Sequence, residues 1–389
     1  MKEQTCREKF LGTMSFKNVA PPNWEFAYWY DTVERWYREG LPRVKGTSTF
    51  PNSQWVSGEA CPNLDENYLD FAYGADIRDY FGFDHKVRLV PVDFERAMPP
   101  FTTKVISETS DKIIRVCEDG KTIETRKDGT SIPRFIDYPV KNKEDFINIK
   151  ERYRADMNSR FPANFEEQAK EYADRDYPLQ MGGGVISGFF SVVREMVGVE
   201  RAMYMFYDEP DFVIDILEFF YGYYMSAYTS ILKVTDVDYI LIWEDMCYKN
   251  GPLISPDMFR EFIQPFYIRL IAEMKKAGVK NFMVDTDGNA LALLPLFIES
   301  GVNAIYPFEA AAGMDVSEIR SEFSDLVIMG GIDKRALAYG PEAIDTELKK
   351  AAKVLKTGGY IPYTDHMVPP DVSFENYCYY RNELSKLIG

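Results

Sequence analysis

Short apolar runs alternate with amphipathic segments through the second half of the chain. The runs are rich in β-branched and aromatic residues and are too short for typical helices; they are residues 179–187, 238–245, 281–287, 303–309, 326–333 and 359–366. Runs of this length and composition predict buried strands. Their alternation with helical segments predicts βα units that assemble into a parallel sheet.

Three of the intervening segments carry clear helix signals. Residues 209–233 begin with Glu-Pro-Asp and keep apolar residues at helical spacing. Residues 256–277 follow Ser255, a good N-cap, and open on a proline, which the first helical position tolerates. Residues 341–356 also open on a proline and end at Thr-Gly-Gly, a helix stop. These signals predict helices at all three places.

Two earlier apolar runs, residues 24–28 and 88–93, bring the predicted strands to a set of eight. This number of βα units over 389 residues predicts a closed (β/α)8 TIM barrel, an α/β fold, in which residues 1–389 form a single domain. Residues 1–21 are predicted to form an N-terminal arm. An open doubly wound sheet is the alternative, but no Gly-x-Gly-x-x-Gly motif follows the first strand to favour it.

Residues 101–137 depart from this rhythm. Two Asp-Gly pairs, at positions 119–120 and 128–129, lie between alternating β-branched runs. Such pairs are strong signals for tight turns between antiparallel strands. The segment is therefore predicted to be a small antiparallel hairpin excursion between the second and third barrel strands. The charged residues 138–175 are predicted to return to the barrel as helices.

Composition narrows the classes of function. A hydrophobic content of 46% supports a large core, and a formal net charge of -16 argues against nucleic acid as a partner. The longest apolar runs are too short to span a membrane, and the first residues lack the apolar core of a signal peptide. The five cysteines are scattered without a Cys-x-x-Cys pair. This pattern is typical of a reduced, cytoplasmic protein.

Acidic side chains gather at the predicted strand ends. In a (β/α)8 barrel the reactive groups lie at the carboxyl ends of the strands. Each of the last five predicted strands finishes in a carboxylate, and the eighth also carries a histidine; these residues are Glu244, Asp245, Asp285, Asp287, Glu309, Asp333, Asp365 and His366. The convergence predicts an acidic active site at this end of the barrel.

The chain has two histidines, and they are interpreted differently. His366 follows the eighth predicted strand and precedes Pro369 and Pro370, which fix the loop. Histidine is both a common metal ligand and the usual general acid or base near neutral pH, so His366 is predicted to be catalytic. His85 is predicted to be a hydrogen-bonded structural residue.

Asp285 and Asp287 are two residues apart at the end of a strand, so both carboxylates point to the same side. Two such acids repel each other unless a cation or a proton lies between them. One hypothesis is a divalent metal site formed by Asp285, Asp287 and His366, which suits Zn²⁺, with Mn²⁺ or Fe²⁺ as further candidates. The alternatives are a helix N-cap by Asp287 or salt bridges to lysine or arginine.

Other strand-end residues complete the predicted site. Glu244 is a candidate fourth ligand or catalytic acid, beside Asp287 and His366. Aromatic residues and one further acid are predicted to bind the substrate; they are Trp243, Tyr306, Tyr363 and Glu309. Three successive glycines at 182–184 would allow close approach of a ligand to the backbone.

Four stretches of the second half stand out together and in order: LISPDMFREFIQPFYIRLI (253–271), LPLFIESGVNAIYPFEAAAGMD (294–315), GGIDKRAL (330–337) and DHMVPPDVSFENY (365–377). In combination they resemble the uroporphyrinogen decarboxylase superfamily. Weaker traces occur at 22–40 and 66–83. The resemblance implies a (β/α)8 barrel, in agreement with the strand pattern.

The resemblance also distinguishes two branches of that superfamily. The haem-pathway decarboxylases carry an arginine motif after the first strand that grips the substrate carboxylates. The corresponding stretch here is FAYWYDTVERW, in which the first arginine is Arg35. A chain of net charge -16 would also repel a substrate with many carboxylates. Decarboxylation in the haem pathway is therefore not expected.

The cobalamin-dependent methyltransferase branch fits better. Its members hold zinc with a His-x-Cys pair at the end of the fifth strand and a further ligand at the eighth strand end. The matching positions here are Asp285, Asp287 and His366, a harder set of donors. The resemblance thus implies transfer of a methyl group from a small methylated substrate, with methoxylated aromatics as candidates. The acceptor would be the Co(I) corrinoid of a cobalamin-binding partner protein, and the divalent metal would act as Lewis acid.

Two other functions stay open. One is a decarboxylase or other lyase that uses Asp287 and His366 as acid and base without metal. The other is a subunit that binds a corrinoid protein without catalysis. Related barrels often pair, so a homodimer is also expected; neither nucleic acid nor a membrane is expected as a partner.

Overall fold

The computed structural model describes residues 4–46, 75–84, 87–93, 95–127, 133–154 and 157–389. In chain order the strands are β1 (Arg88–Leu89), β2 (Lys104–Glu108), β3 (Lys112–Val116), β4 (Thr122–Arg126), β5 (Arg134–Asp137), β6 (Leu179–Gly182), β7 (Tyr239–Trp243), β8 (Cys247–Tyr248), β9 (Gly251–Pro252), β10 (Phe282–Asp285), β11 (Ala304–Tyr306), β12 (Val327–Met329) and β13 (Tyr360–Ile361).

The helices lie mostly between strands of the main sheet. They are α1 (Cys6–Met14), α2 (Tyr30–Glu39), α3 (Ala75–Phe81), α4 (Lys143–Arg152), α5 (Phe165–Glu171), α6 (Phe189–Val197), α7 (Val199–Asp208), α8 (Pro210–Leu232), α9 (Pro256–Met258), α10 (Gln264–Lys276), α11 (Leu294–Glu299), α12 (Val316–Glu322), α13 (Pro341–Leu355) and α14 (Phe374–Ile388). No helix within these described ranges combines the length and apolarity needed to cross a bilayer.

A curled parallel sheet organises the fold. Its strand order is β1-β6-β7-β10-β11-β12-β13, and every neighbouring pair is parallel. The six later strands follow chain order, as successive βα units require. The parallel α/β architecture predicted from the alternating pattern is therefore confirmed.

The predicted first strand, residues 24–28, does not extend this ladder. It makes a single parallel bridge, Tyr28 to Val368, beyond the end of β13. Two features limit the pairing. Pro362 has no N–H to donate, and the Thr364 N–H donates to the Glu25 carboxylate instead of to a backbone carbonyl. The described sheet therefore has seven strands, whereas the sequence pattern predicts eight.

Side chains on the two faces of the sheet pack against different parts of the chain. Alternate side chains such as Leu241, Met283 and Val327 lie on the inner face, where they pack with Phe10 of α1 and Trp24. The intervening residues face the surrounding helices. The predicted N-terminal arm thus contributes helix α1 to the inner core, and the Thr5 side chain caps that helix.

The three predicted helices are confirmed. Residues 209–233 correspond to α8, and residues 341–356 correspond to α13. Residues 256–277 contain α9 and α10, joined by a π-helical turn at Phe259–Ile263. As predicted, the Ser255 hydroxyl accepts a hydrogen bond at the helix start, from the Met258 N–H at 3.1 Å.

The antiparallel excursion is larger than a hairpin. Strands β2, β3, β4 and β5 form a four-stranded antiparallel sheet in chain order. The turn at 119–120 is present, with Gly120 at a φ of 87°. The second Asp-Gly pair, at 128–129, lies outside the described residues, as does His85.

Candidate active site

Three inner-face side chains form a row across neighbouring strands. Asp285 is in register with Trp243 on β7 and with Tyr306 on β11. All three lie at the carboxyl ends of their strands, where parallel sheets carry their functional groups. An acidic side chain is thus placed between two aromatic ones, above the apolar layer that contains Leu241, Met283 and Ala304.

Asp285 stands in an unfavourable electrostatic environment. The pKa of its carboxyl is held well above the ordinary range, chiefly by burial, and the Asp287 and Asp245 carboxylates raise it further. A hydrogen bond from the Tyr306 hydroxyl opposes the rise. A proton or a bound cation would each relieve this repulsion, so the residue is suited to either.

Asp287 and His366 meet across the end of the sheet. The His366 Nε2 lies 3.6 Å from the Asp287 Oδ2. The His366 ring stacks on Phe26, with centroids 4.8 Å apart and planes inclined by 30°. The Phe26 ring in turn lies 6.3 Å from both Tyr306 and Tyr363. Phe26 belongs to residues 24–28, which bridge to the chain after β13 through Tyr28 and Val368. This bridge places the Phe26 ring beside His366, so that aromatic rings surround Asp287 and His366.

Asp245 adds a third carboxylate, which has a cation beside it. Its oxygen Oδ2 lies 2.9 Å from Arg194 Nη1, and the Arg194 guanidinium also covers the Trp243 ring at 4.8 Å. Burial raises the pKa of Asp245, the Arg194 charge opposes the rise, and Asp287 adds to it. Asp245 has a φ of 42°, an uncommon conformation for a non-glycine residue.

These groups are called the strand-end site below. Its members are Phe26, Trp243, Asp245, Asp285, Asp287, Tyr306, Tyr363 and His366. The structure brings together Asp285, Asp287, His366, Tyr306 and Tyr363, as the strand-end pattern predicts; Trp243 joins them through its register with Asp285. Asp287 does not cap a helix, because the next helix, α11, has Leu293 at its N-cap position.

Glu244 lies elsewhere. Its carboxylate is fully buried and accepts hydrogen bonds from the Phe189 and Ser191 N–H groups and from the Tyr267 hydroxyl. These contacts hold the first turn of α6, on the opposite face from Trp243. Side chains alternate along a strand, so neighbours 243 and 244 cannot both face inward. The structure thus does not bring Glu244 to the other predicted catalytic residues.

Glu309 lies near the rim in a local ion-pair network. Lys334 Nζ is 3.4 Å from a carboxylate oxygen of Glu309 and 3.4 Å from one of the buried Asp365. Glu309 also accepts the Gly288 N–H at 2.9 Å. These contacts tie the loop after β10 to the loops after β11 and β12. Its predicted role in substrate binding stays a prediction.

Glu95 is a carboxyl that the strand-end pattern missed. It accepts hydrogen bonds from the Gly184 and Val185 N–H groups, in the glycine-rich loop after β6. Burial raises the pKa of Glu95 to about 7, the Asp93 carboxylate adds to the rise, and the two N–H groups oppose it. The sequence signal was the run of three glycines, because a Cβ on Gly184 would coincide with the Glu95 carboxyl group.

The predicted metal site is assembled only in part. His366 Nε2 and Asp287 Oδ2 are close enough to approach one ion. The third predicted ligand, Asp285, takes a hydrogen bond from the Tyr306 hydroxyl instead. Within the described part of the chain, no group of three or more His, Cys, Asp or Glu side chains is arranged to hold a metal. These residues therefore do not fit a three-ligand zinc centre in this arrangement.

The fold and the site define an α/β protein whose polar residues gather at the carboxyl edge of a curled parallel sheet. The family model of uroporphyrinogen decarboxylase (URO-D) matches residues 119–382, about two thirds of the chain. The chain therefore belongs to this family, whose members are TIM barrels and mostly enzymes, either decarboxylases or methyltransferases. No curated protein matches the chain.

Proposed function

We propose that this chain is a methyltransferase of the family, and that it moves a methyl group from a small methylated substrate to the Co(I) corrinoid of a partner protein. The observation that carries the proposal is the meeting of His366 and Asp287, 3.6 Å apart, beside Asp285. The resemblance gives these positions the task of activating the methyl donor. We also infer that residues 24–28 complete an eight-stranded barrel, a closure supported by the bridge from Tyr28 to Val368.

The charges around the site speak against a substrate with many carboxylates. Two cations at this end of the sheet are already paired: Arg194 with Asp245, and Lys334 with Glu309 and Asp365. Bringing further carboxylates beside Asp285 and Asp287 would add repulsion that these paired cations would not offset. A small substrate without negative charge suits the site better.

The proposed reaction is a displacement at the methyl carbon. Cobalt supplies the electron pair of the new bond to carbon, and the leaving heteroatom keeps the electrons of the old one. The aromatic rings of Phe26, Tyr306 and Tyr363 would orient the substrate and exclude water. The His366 ring would hydrogen-bond the heteroatom as its bond to the methyl group breaks.

None of these steps involves the divalent ion that the sequence predicts. His366 and Asp287 would supply two of its ligands if the site rearranged around it. Metal analysis of the purified protein tests this point. Stoichiometric Zn²⁺ that is lost in His366→Phe would support it, and protein that is active after chelator treatment would contradict it.

The test of function is methyl transfer to cob(I)alamin or to a reduced corrinoid protein, followed by its absorbance spectrum. A panel of methylated ammonium compounds, methoxylated aromatics and methyl thioethers serves as donors. We expect a donor-dependent conversion of Co(I) that is lost in Asp287→Asn and His366→Phe. Asp333→Asn is the matched control, because this strand-end acid bonds to Arg335 instead of contributing to the strand-end site.

The same Asp287 and His366 contact also favours one second candidate. A carboxylate beside an imidazole can move a proton, so a lyase reaction needs no further residue type. Release of CO2 from a carboxylated substrate without any cobalt would establish this candidate over methyl transfer. Tight binding of a corrinoid protein without turnover of any donor would instead identify a non-catalytic subunit.

A further inference from the structure

Aromatic rings and carboxylates alternate in the strand-end site. Along the row on β7, β10 and β11, Asp285 has Trp243 on one side and Tyr306 on the other. Above the row, Asp287 faces His366, whose ring stacks on Phe26. Tyr306 and Tyr363 complete the wall, each 6.3 Å from the Phe26 ring. A ligand that reaches this site would therefore meet aromatic rings and carboxylate oxygens together.

Among the described residues, a lysine or arginine pairs with one of the three carboxylates of this site and not with the other two. Asp245 has Arg194 as its partner. Among the described residues, neither Asp285 nor Asp287 forms an ion pair with a lysine or an arginine; the basic group nearest to Asp287 is the His366 ring. The field in the site thus favours a positively charged ligand, and it is strongest where water is excluded.

We propose that the strand-end site binds a methylated ammonium cation and that this cation is the methyl donor, the second part resting on the proposed methyl transfer. A quaternary ammonium carries its charge on the methyl hydrogens, which can lie against aromatic faces. Carboxylates near those faces add attraction without needing a hydrogen-bond donor on the ligand. Rings and acids on one short strand row provide both contacts.

The chemistry of the leaving group agrees with this ligand class. When Co(I) attacks a methyl carbon of a quaternary ammonium, the carbon–nitrogen bond breaks and nitrogen keeps its electron pair. The product is a neutral tertiary amine, so neither a proton nor a counter-ion is needed. A methoxylated aromatic would leave as an anionic phenolate, and the Asp287 carboxylate would repel that charge.

Binding without any corrinoid tests the first part. Calorimetry would compare choline with 3,3-dimethylbutan-1-ol, a neutral molecule of the same shape. We expect choline to bind at least about tenfold more tightly, since the charge contributes cation–π and ionic attraction. Equal affinities, tighter binding of a methoxybenzene, or no binding of choline would each overturn the proposal.

Variants of one residue separate ring contact from hydrogen bonding. Tyr306→Phe keeps the ring and loses the hydroxyl, so it should retain the preference for choline. Tyr306→Leu removes the ring and should reduce choline affinity about tenfold, with little change for the neutral analogue. Equal effects of both variants on choline would contradict ring contact, and circular dichroism would show that both are folded.

Methyl transfer distinguishes this inference from the proposed function. Selective choline binding with no transfer from any donor to cob(I)alamin would reject the methyltransferase, and with it the donor role, but would leave the cation site standing. Transfer from a methoxylated aromatic, together with no selectivity for choline, would support the methyltransferase and overturn the cation site. Transfer from a quaternary ammonium, with the neutral amine as product, supports both.

Discussion

The Asp287 carboxylate and the His366 imidazole lie 3.6 Å apart, although 79 positions separate them in the chain. Asp287 follows β10 and His366 follows β13, and the parallel sheet brings these strand ends to the same edge. The stack of His366 on Phe26 fixes the orientation of the imidazole toward the acid. The pair is thus held by packing and by topology.

We expect His366→Phe to lower the turnover of the proposed methyl transfer by about a hundredfold or more, the usual effect of removing an acid–base or hydrogen-bonding group. The new ring can still stack on Phe26, so the melting temperature should change little. Steady-state kinetics and calorimetry on the same preparation would measure both. A large loss of stability would show that the histidine is structural.

The two residues should also act as one unit. If they contact each other in the reaction, the double variant Asp287→Asn, His366→Phe should be little worse than the more damaging single variant. Independent roles would instead give multiplied losses. The four proteins of this cycle would be compared by kcat/KM with one methyl donor.

Glu244 is expected to matter for stability and not for chemistry. Its carboxylate satisfies two buried N–H groups of α6 and the Tyr267 hydroxyl. Glu244→Ala would leave these donors buried and unpaired, at a cost of about 2–4 kcal/mol in the free energy of unfolding. Urea denaturation would measure this. A variant of normal stability with greatly reduced activity would restore the catalytic role predicted from the sequence.

The sequence predicts much of this arrangement because strand ends are regular. Asp285, Asp287 and His366 were found from apolar runs that end in polar residues, and parallel strands bring such ends together. The carboxylate of Glu244, which the pattern also predicts in the site, lies outside it for a local reason. The pattern located the end of β7, but the period of two puts Trp243 and Glu244 on opposite faces.

Other parts could not be found from local patterns. The apolar run at residues 24–28 predicts a strand, but this segment makes one bridge, at Tyr28, instead of a ladder. The strand pattern therefore does not specify which side chains Phe26 contacts. Glu95 reaches the loop after β6 through tertiary packing between residues 89 positions apart. The direction of the Asp285 carboxyl, toward Tyr306 and not toward His366, depends on side-chain contacts that strand spacing does not specify.

Glu95 should make stability depend on pH. Its ordinary pKa is 4.5, and folding raises it to about 7. The folded chain thus holds the proton more tightly than the unfolded chain, so the stabilising contribution is complete below about pH 4.5. It is lost as the pH rises through 7.

Glu95→Gln should remove this contribution. Several other buried acids also have raised pKa values, so the measured quantity is the difference between the unfolding free energies of wild type and variant. We expect wild type to lose stability relative to Glu95→Gln as the pH rises from about 4.5 to about 7, the interval between the unfolded and the folded pKa values. Glu166→Gln is the control, because Glu166 is exposed. Its curve of unfolding free energy against pH should run parallel to that of wild type. Parallel curves for Glu95→Gln would refute the assignment.

Two glycine-to-alanine changes should have opposite effects. At Gly184 the added methyl would coincide with the Glu95 carboxyl group, which must then leave the Gly184 and Val185 N–H groups. Gly222 lies within α8 and has no atom within 4 Å of an added methyl. Gly184→Ala should therefore destabilise the fold by about 1–3 kcal/mol, through lost hydrogen bonds and crowding.

Gly222→Ala should instead stabilise the fold by about 0.5–1 kcal/mol, because alanine loses less backbone entropy in a helix. The pair controls for the chemical change itself, since both variants add one methyl group. Combining Gly184→Ala with Glu95→Ala should recover part of the loss, because the clash is removed with the carboxyl group. If the double variant is as unstable as the sum of the single ones, Glu95 does not occupy the space above Gly184 in solution.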